Sequence, residues 1–226
     1  MDIFLLMWYN NLMYYITEVS KGMKIIPVCT RSLGANTYIL VSGNEALVVD
    51  PTVSVEAVVN AAKAENAEIK GILLTHGHFD HVFSLDTLRS ELSIGASVHK
   101  NDAIMLTDGK TNAFFDFFGR ERTYRPAETL LSPMDKIRLG DEEITVLHTP
   151  GHTEGSVCYL CDGFMVTGDT LFAESYGRCD LWSGDIQKMR NSLGMLRQLP
   201  KDTVIYPGHG ELAKLGDALD TVAYLI

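Results

Sequence analysis

Ile72-Leu73-Leu74-Thr75-His76-Gly77-His78-Phe79-Asp80-His81 carries a short apolar run straight into three imidazoles and a carboxylate. The run reads as a buried strand, and the donors crowd its end. That set is too dense for a core or an ordinary surface loop, because imidazole and carboxylate are what borderline divalent cations bind. Histidine is otherwise scarce: the chain has 7, and three are here. Two more each follow a Pro-Gly turn that closes an apolar β-like run, in Thr149-Pro150-Gly151-His152 and Tyr206-Pro207-Gly208-His209. Asp169 stands after another such run, in Thr167-Gly168-Asp169-Thr170. His76 and His78, two residues apart on an extended loop, can aim at one centre, and Asp80 and His81 can face a second. Glycines beside these donors let the backbone turn tightly and approach an ion. Five histidines and two aspartates, each at a strand–turn junction, point to a metal site with a position left open for water.

Outward from that loop the chain reads as two series of strands, each followed by a helix. Strands are expected over 24–29, 36–41 and 45–49, with Gly43-Asn44 turning between the last two. Ser54 caps a helix over 55–66, whose apolar residues fall at 55, 58, 59 and 62. The strand 69–74 enters the histidine loop, a helix runs from about 83 to 92, and 95–99 is a strand. The second series covers 135–139, 143–148, 156–161 and 164–167, then a helix over 185–199 and a strand over 203–206. Two sheets packed face to face with helices outside follow from this order. Residues 106–126 are irregular. Phe114, Phe115, Phe117 and Phe118 lie there beside Arg120, Arg122 and Arg125, either as a helix packing its rings on the body or as a lid with apolar and cationic contacts for substrate.

Composition bounds the class. A chain of 226 residues, 46% hydrophobic and 21% charged, suits one large domain. A net charge of −10, from 19 basic and 29 acidic residues, argues against nucleic acid or an anionic membrane as partner and leaves a small-molecule substrate. Nothing in the sequence bears on oligomeric state. Cys29, Cys158, Cys161 and Cys179 do not form a disulfide framework, and the odd spacing of Cys158 and Cys161 on one strand sends them to opposite faces. Residues 1–22 differ from the rest. They lack a basic n-region and a small-residue cleavage site, and are too short to span a bilayer, so a cytoplasmic protein is expected. Met23 offers a second start, with 23–226 as the domain and 1–22 as an extension; an added apolar helix or lid is the alternative.

The ordered set His-x-His-x-Asp-His, Thr-Pro-Gly-His-Thr (149–153), Gly-Asp-Thr-Leu-Phe (168–172) and Pro-Gly-His-Gly (207–210) resembles the metallo-β-lactamase superfamily, and within it the single-domain glyoxalase II-like hydrolases. The resemblance spans roughly residues 24 to 216. It implies an αβ/βα sandwich of two mixed β-sheets flanked by helices, with a dinuclear site at one edge. Carried over residue by residue, His76, His78 and His152 hold a first metal; Asp80, His81 and His209 hold a second; Asp169 bridges them. Two divalent ions are implied, zinc first, with iron or manganese as alternatives. A hydroxide held between cations about 3.5–4 Å apart attacks an activated carbonyl, oriented by Asp80. A thiolate leaving group, of pKa about 8.5, departs without a separate acid, so a thioester such as S-lactoylglutathione is the expected substrate.

Further residues carry paired readings. Asp50 either orients a ligating imidazole or only forms an Asp-Pro turn. Ser175-Tyr176-Gly177-Arg178-Cys179-Asp180 is similar to the Ser-x-Gly-Arg-x-Asp of the same branch, with Arg178 paired to Asp180 or meeting a substrate carboxylate. His99 and His148 are expected to be structural. Two-domain glyoxalase II enzymes add a helical domain with basic glutathione contacts after the last histidine. Here the sequence runs to Ile226, with Ala213 and Lys214 where the branch tends to have threonines. These departures bear on glutathione specificity and leave the expectation of hydrolysis intact. The alternative activities are a persulfide dioxygenase with one iron on His76, His152 and Asp169, and a lactonase of the same superfamily. Gly168-Asp169-Thr170-Leu171-Phe172 is more similar to the hydrolase branch.

Overall fold

The computed structural model describes residues 5–9, 12–16, 22–29 and 34–226. Strands β1 (Leu5–Tyr9) and β2 (Leu12–Ile16) pair antiparallel as a separate hairpin, Leu5 opposite Ile16 and Tyr9 opposite Leu12. The helix expected as the alternative for this segment is not formed there; tyrosine, tryptophan and isoleucine suit extended chain better. The remainder of residues 1–21, and with it the expectation of an extension ahead of Met23, lies outside the described residues.

The first sheet has the order β3 (Met23–Cys29), β4 (Asn36–Ser42), β5 (Glu45–Val49), β6 (Glu68–Leu73), β7 (Ala96–His99) and β8 (Thr129–Leu131). The pairs β3–β4 and β4–β5 are antiparallel, whereas β5 to β8 are mutually parallel. Helices α1 (Val55–Ala64) and α2 (Leu85–Leu92) supply the crossovers, and the Ser54 hydroxyl caps α1 by accepting from the Ala57 N–H. Two short helices, α3 (Ala103–Thr107) and α4 (Phe114–Phe118), precede β8. The second sheet holds β9 (Lys136–Leu139), β10 (Glu142–His148), β11 (Val157–Leu160), β12 (Phe164–Gly168), β13 (Val204–Pro207) and β14 (Ala213–Lys214), in the spatial order β14-β13-β12-β11-β10-β9. Helices α5 (Ile186–Leu196) and α6 (Leu215–Thr221) cover its outer face.

Alternation of side chains builds the layers. Ile25, Tyr38, Leu40, Leu47 and Val49 face Ile144, Val146, Tyr159, Phe164 and Val166 in the core between the sheets. Their neighbours Ile26, Ile39, Val41 and Val48 turn outward onto α1 and α2, and Leu147, Met165 and Ile205 turn onto α5 and α6. Cys158 belongs to the outer cluster and Cys161 to the inter-sheet core, opposite faces as their spacing predicts. Burying each such aliphatic side chain contributes roughly 1.5–3 kcal/mol. Two tyrosines join the sheets: Tyr38 Oη donates to the Pro207 carbonyl at 2.6 Å, and Tyr159 Oη donates to the Leu74 carbonyl at 2.7 Å. Both bonds end on the backbone that leads into a histidine loop. Among the described residues no helix is long and apolar enough to cross a membrane.

Candidate metal centre

The carboxyl ends of β5, β6, β10, β12 and β13 open on one edge of the sandwich, and each delivers a polar residue there. Asp50 follows β5, His76 to His81 follow β6, His152 follows β10, Asp169 follows β12 and His209 follows β13. All seven residues singled out as ligands come together. His76, His78 and His152 offer three nitrogens within 4.8 Å of one another, and Asp80, His81 and His209 form a second such group. His78 Nδ1 stands 2.8 Å from His152 Nε2, and His81 Nε2 stands 3.3 Å from His209 Nε2. Asp169 lies between the groups: its carboxylate is 3.3 Å from His81 Nε2, 3.5 Å from His152 Nε2 and 3.6 Å from His209 Nε2.

Surrounding groups decide which nitrogen of each ring faces inward. His152 Nδ1 is 2.7 Å from the Arg178 carbonyl and His209 Nδ1 is 2.9 Å from the Gly34 carbonyl; a carbonyl only accepts, so both Nδ1 atoms carry hydrogen. Asp50 takes the other side. One carboxylate oxygen accepts from the Thr75 N–H at 2.8 Å; the other accepts from the Thr75 hydroxyl at 2.6 Å and faces His81 Nδ1 at 2.9 Å. With its proton given to Asp50, the Thr75 oxygen can accept from His76 Nδ1, 3.1 Å away. His76 Nε2 and His78 Nε2 are left buried and unpartnered. Asp50 thus orients two rings, and its backbone pays with a positive φ of 50°.

Electrostatics divides the two groups. Burial, reinforced by the other imidazoles, pushes His76 well below its ordinary pKa and His78 down to about 3. Burial also lowers His152, although Asp169 opposes it. These three rings are neutral, the state a metal ligand needs. Burial works against charge on His81 too, but Asp169 and Asp80 outweigh it and its pKa is raised. His209 is raised in the same way, burial being outweighed by Asp80 and Asp169, and both carboxylates are held below their usual range by these imidazoles. Two carboxylates packed among imidazoles demand positive charge at this spot. Unpartnered donor atoms, neutral rings and that demand fit divalent cations.

Asp102, which sequence reasoning missed, ties the two ligand loops together. Fully buried at the end of the turn after β7, it accepts from the Gly77 N–H at 3.1 Å, the Thr153 hydroxyl at 2.7 Å and the Gly155 N–H at 2.6 Å. Burial lifts its carboxyl to about 6 while these three donors oppose the rise. Of the two roles read for Arg178, the ion pair is formed: Nε and Nη2 donate to the Asp180 carboxylate at 2.6 and 2.7 Å. Its backbone carbonyl, not its guanidinium, meets His152. His99 and His148 stand apart from the cluster and stack with centroids 4.3 Å apart. Glycine at 208 is required by close approach, since a Cβ there would lie 2.1 Å from Asp169 Oδ1 and 2.6 Å from the His81 ring.

Residues 31–209 match the family model of the metallo-beta-lactamase superfamily. The chain belongs to that superfamily. Among its relatives, the probable metallo-hydrolase YqgX of Bacillus subtilis is 34% identical over 179 residues, covering 78% of this chain and 85% of that protein. The solved BLEG-1 B3 metallo-beta-lactamase is 33% identical with a TM-score of 0.82, covering 89% of this chain and 99% of its own. TTHA1623, solved in a di-iron-bound form, is 30% identical with a TM-score of 0.74 over 86% of this chain and 97% of that one. The sandwich of two mixed sheets flanked by helices is the metallo-β-lactamase fold, and metal-dependent hydrolase chemistry comes with these relatives.

Proposed function

We propose that this superfamily member is a dinuclear-metal hydrolase of activated carbonyls, with thioesters as its substrates. One observation carries the reading: a complete second ligand group, Asp80, His81 and His209, stands beside the His76, His78 and His152 group, with Asp169 between them. His76, His78 and His152 would hold one ion, Asp80, His81 and His209 the other, and Asp169 both. Divalent cations bound there would supply Lewis acidity and a water ionised at a pKa of about 7. Zinc is the first choice, and the di-iron form of TTHA1623 keeps iron in view.

The chain's own residues do the positioning. Asp80 lines the cavity above the cluster, its Oδ2 3.3 Å from His209 Nε2, where it would orient the attacking water by accepting a hydrogen bond from it. Asp50, Thr75 and the Arg178 and Gly34 carbonyls hold the rings in one tautomer, so no reorganisation is needed as charge develops. A mononuclear iron dioxygenase would leave the second group without work, which favours hydrolysis.

Zinc-loaded protein should hydrolyse members of a panel of thioesters and lactones and consume no oxygen with glutathione persulfide. Asp169→Ala should lower turnover by about a hundredfold or more. Oxygen consumption with the persulfide, without hydrolysis of any carbonyl substrate, would overturn the assignment.

A further inference from the structure

A cavity of about 450 Å³ sits on the candidate centre, and its walls divide sharply. The floor is the histidine and aspartate cluster. The side wall is apolar, formed by Phe79, Phe117, Phe118, Phe172 and Leu181. Phe79 is almost fully buried, and the ring centroids of Phe117 and Phe118 lie 5.7 and 5.5 Å from it. Those two rings are themselves 57% and 52% exposed. Their helix, α4, is held in place by Phe114, buried against Phe79, and by the Phe79 N–H donating to the Asn112 carbonyl at 3.0 Å. Apolar rings left exposed on a fixed helix at a cavity mouth are a contact surface rather than core. Among the described residues that line the cavity, Arg178 is the one Lys or Arg, and Asp180 already engages two of its nitrogens. Among these described residues an anionic substrate group would find no free guanidinium or ammonium partner.

We infer that the site selects substrates carrying an uncharged apolar group beside the scissile carbonyl, seated on Phe79, Phe117 and Phe118, and disfavours thiol esters whose thiol carries carboxylates, such as those of glutathione. The inference rests on the proposed hydrolysis and names its substrate class. The apolar group belongs either to the acyl chain or to the leaving thiol, and two substrate series separate these. In the first, N-acetylcysteamine thioesters lengthen from acetyl to hexanoyl; in the second, acetyl thioesters vary the thiol from N-acetylcysteamine to thiophenol-sized aryl alkyl thiols.

Specificity, kcat/KM, should rise by about tenfold or more along one series and exceed that for S-lactoylglutathione. Phe118→Ala and Phe117→Ala, both at half-exposed positions, should flatten that rise with metal content and circular dichroism unchanged. Hydrolysis that is indifferent to chain length and fastest with S-lactoylglutathione would overturn the inference while leaving the hydrolase reading intact. If no carbonyl substrate turns over, the hydrolase reading fails, and equilibrium binding of hexanoate against acetate still tests the wall. Tighter binding of hexanoate, weakened in Phe118→Ala, supports the apolar class; equal binding overturns it.

Discussion

Single residues here are set by what they touch rather than by type. Seven histidines share one chain, yet five enter the cluster and two stack elsewhere. His99 shows the cost of burying such a ring. It is fully buried against His148, with its Nε2 unpartnered, and burial, with His148 and Lys100, holds its pKa down at about 4. The unfolded chain binds this proton with a pKa of about 6.5. Between those values the unfolded state carries the proton and the folded state does not. The His99 contribution is therefore intact above about pH 6.5 and is lost as pH falls toward 4. His99→Phe, which keeps a planar ring in the stack, should lose less of its melting temperature than the parent protein between pH 6.5 and 4.5. An equal drop in both would show that His99 does not drive the acid sensitivity.

Elements deliver the ligands, and their order along the chain explains how much of the site was legible. The strands β10, β12 and β13 lead into glycine or proline ahead of their donors and β6 runs straight into the histidines, so both element and donor stand out in sequence. Ser54 and Asp185 mark helix starts and accept backbone hydrogen bonds as N-caps should. Between β7 and β8 the helix read as one alternative for the phenylalanine run is formed as α4, whereas α3 was not legible, because five residues are too short for periodicity. β14 and α6, at two and seven residues, escaped for the same reason. Asp102 was hidden differently. Lys100-Asn101-Asp102 reads as a solvated turn, and the groups it binds lie 25, 51 and 53 residues away. Asp102→Ala would leave the buried Gly77 and Gly155 N–H groups without an acceptor and the Thr153 hydroxyl with Ser156 Oγ alone, 2.7 Å away. Loss of about 3 kcal/mol in urea unfolding of the metal-free protein is expected, together with roughly tenfold weaker metal binding. Unchanged stability and affinity would mean that the two loops hold their geometry without this clamp.

The whole molecule is two half-sandwiches that meet at the centre. The first sheet contributes His76, His78, Asp80 and His81, and the second contributes His152, Asp169 and His209. Tyr38 and Tyr159 bind the halves just beneath, and Asn36 spans them by donating to the Pro207 and Gly210 carbonyls at 3.0 and 3.1 Å. Ions bound between the halves would add to that joint, so their occupancy would also be a folding term. The most direct test of the central claim is the metal content of the protein after equilibration with buffered zinc, read by elemental analysis for the parent chain and for Asp169→Ala. About two ions per chain in the parent, falling to one or fewer in a folded Asp169→Ala, is the predicted result. One ion or none in the parent, or two ions retained without Asp169, would contradict it.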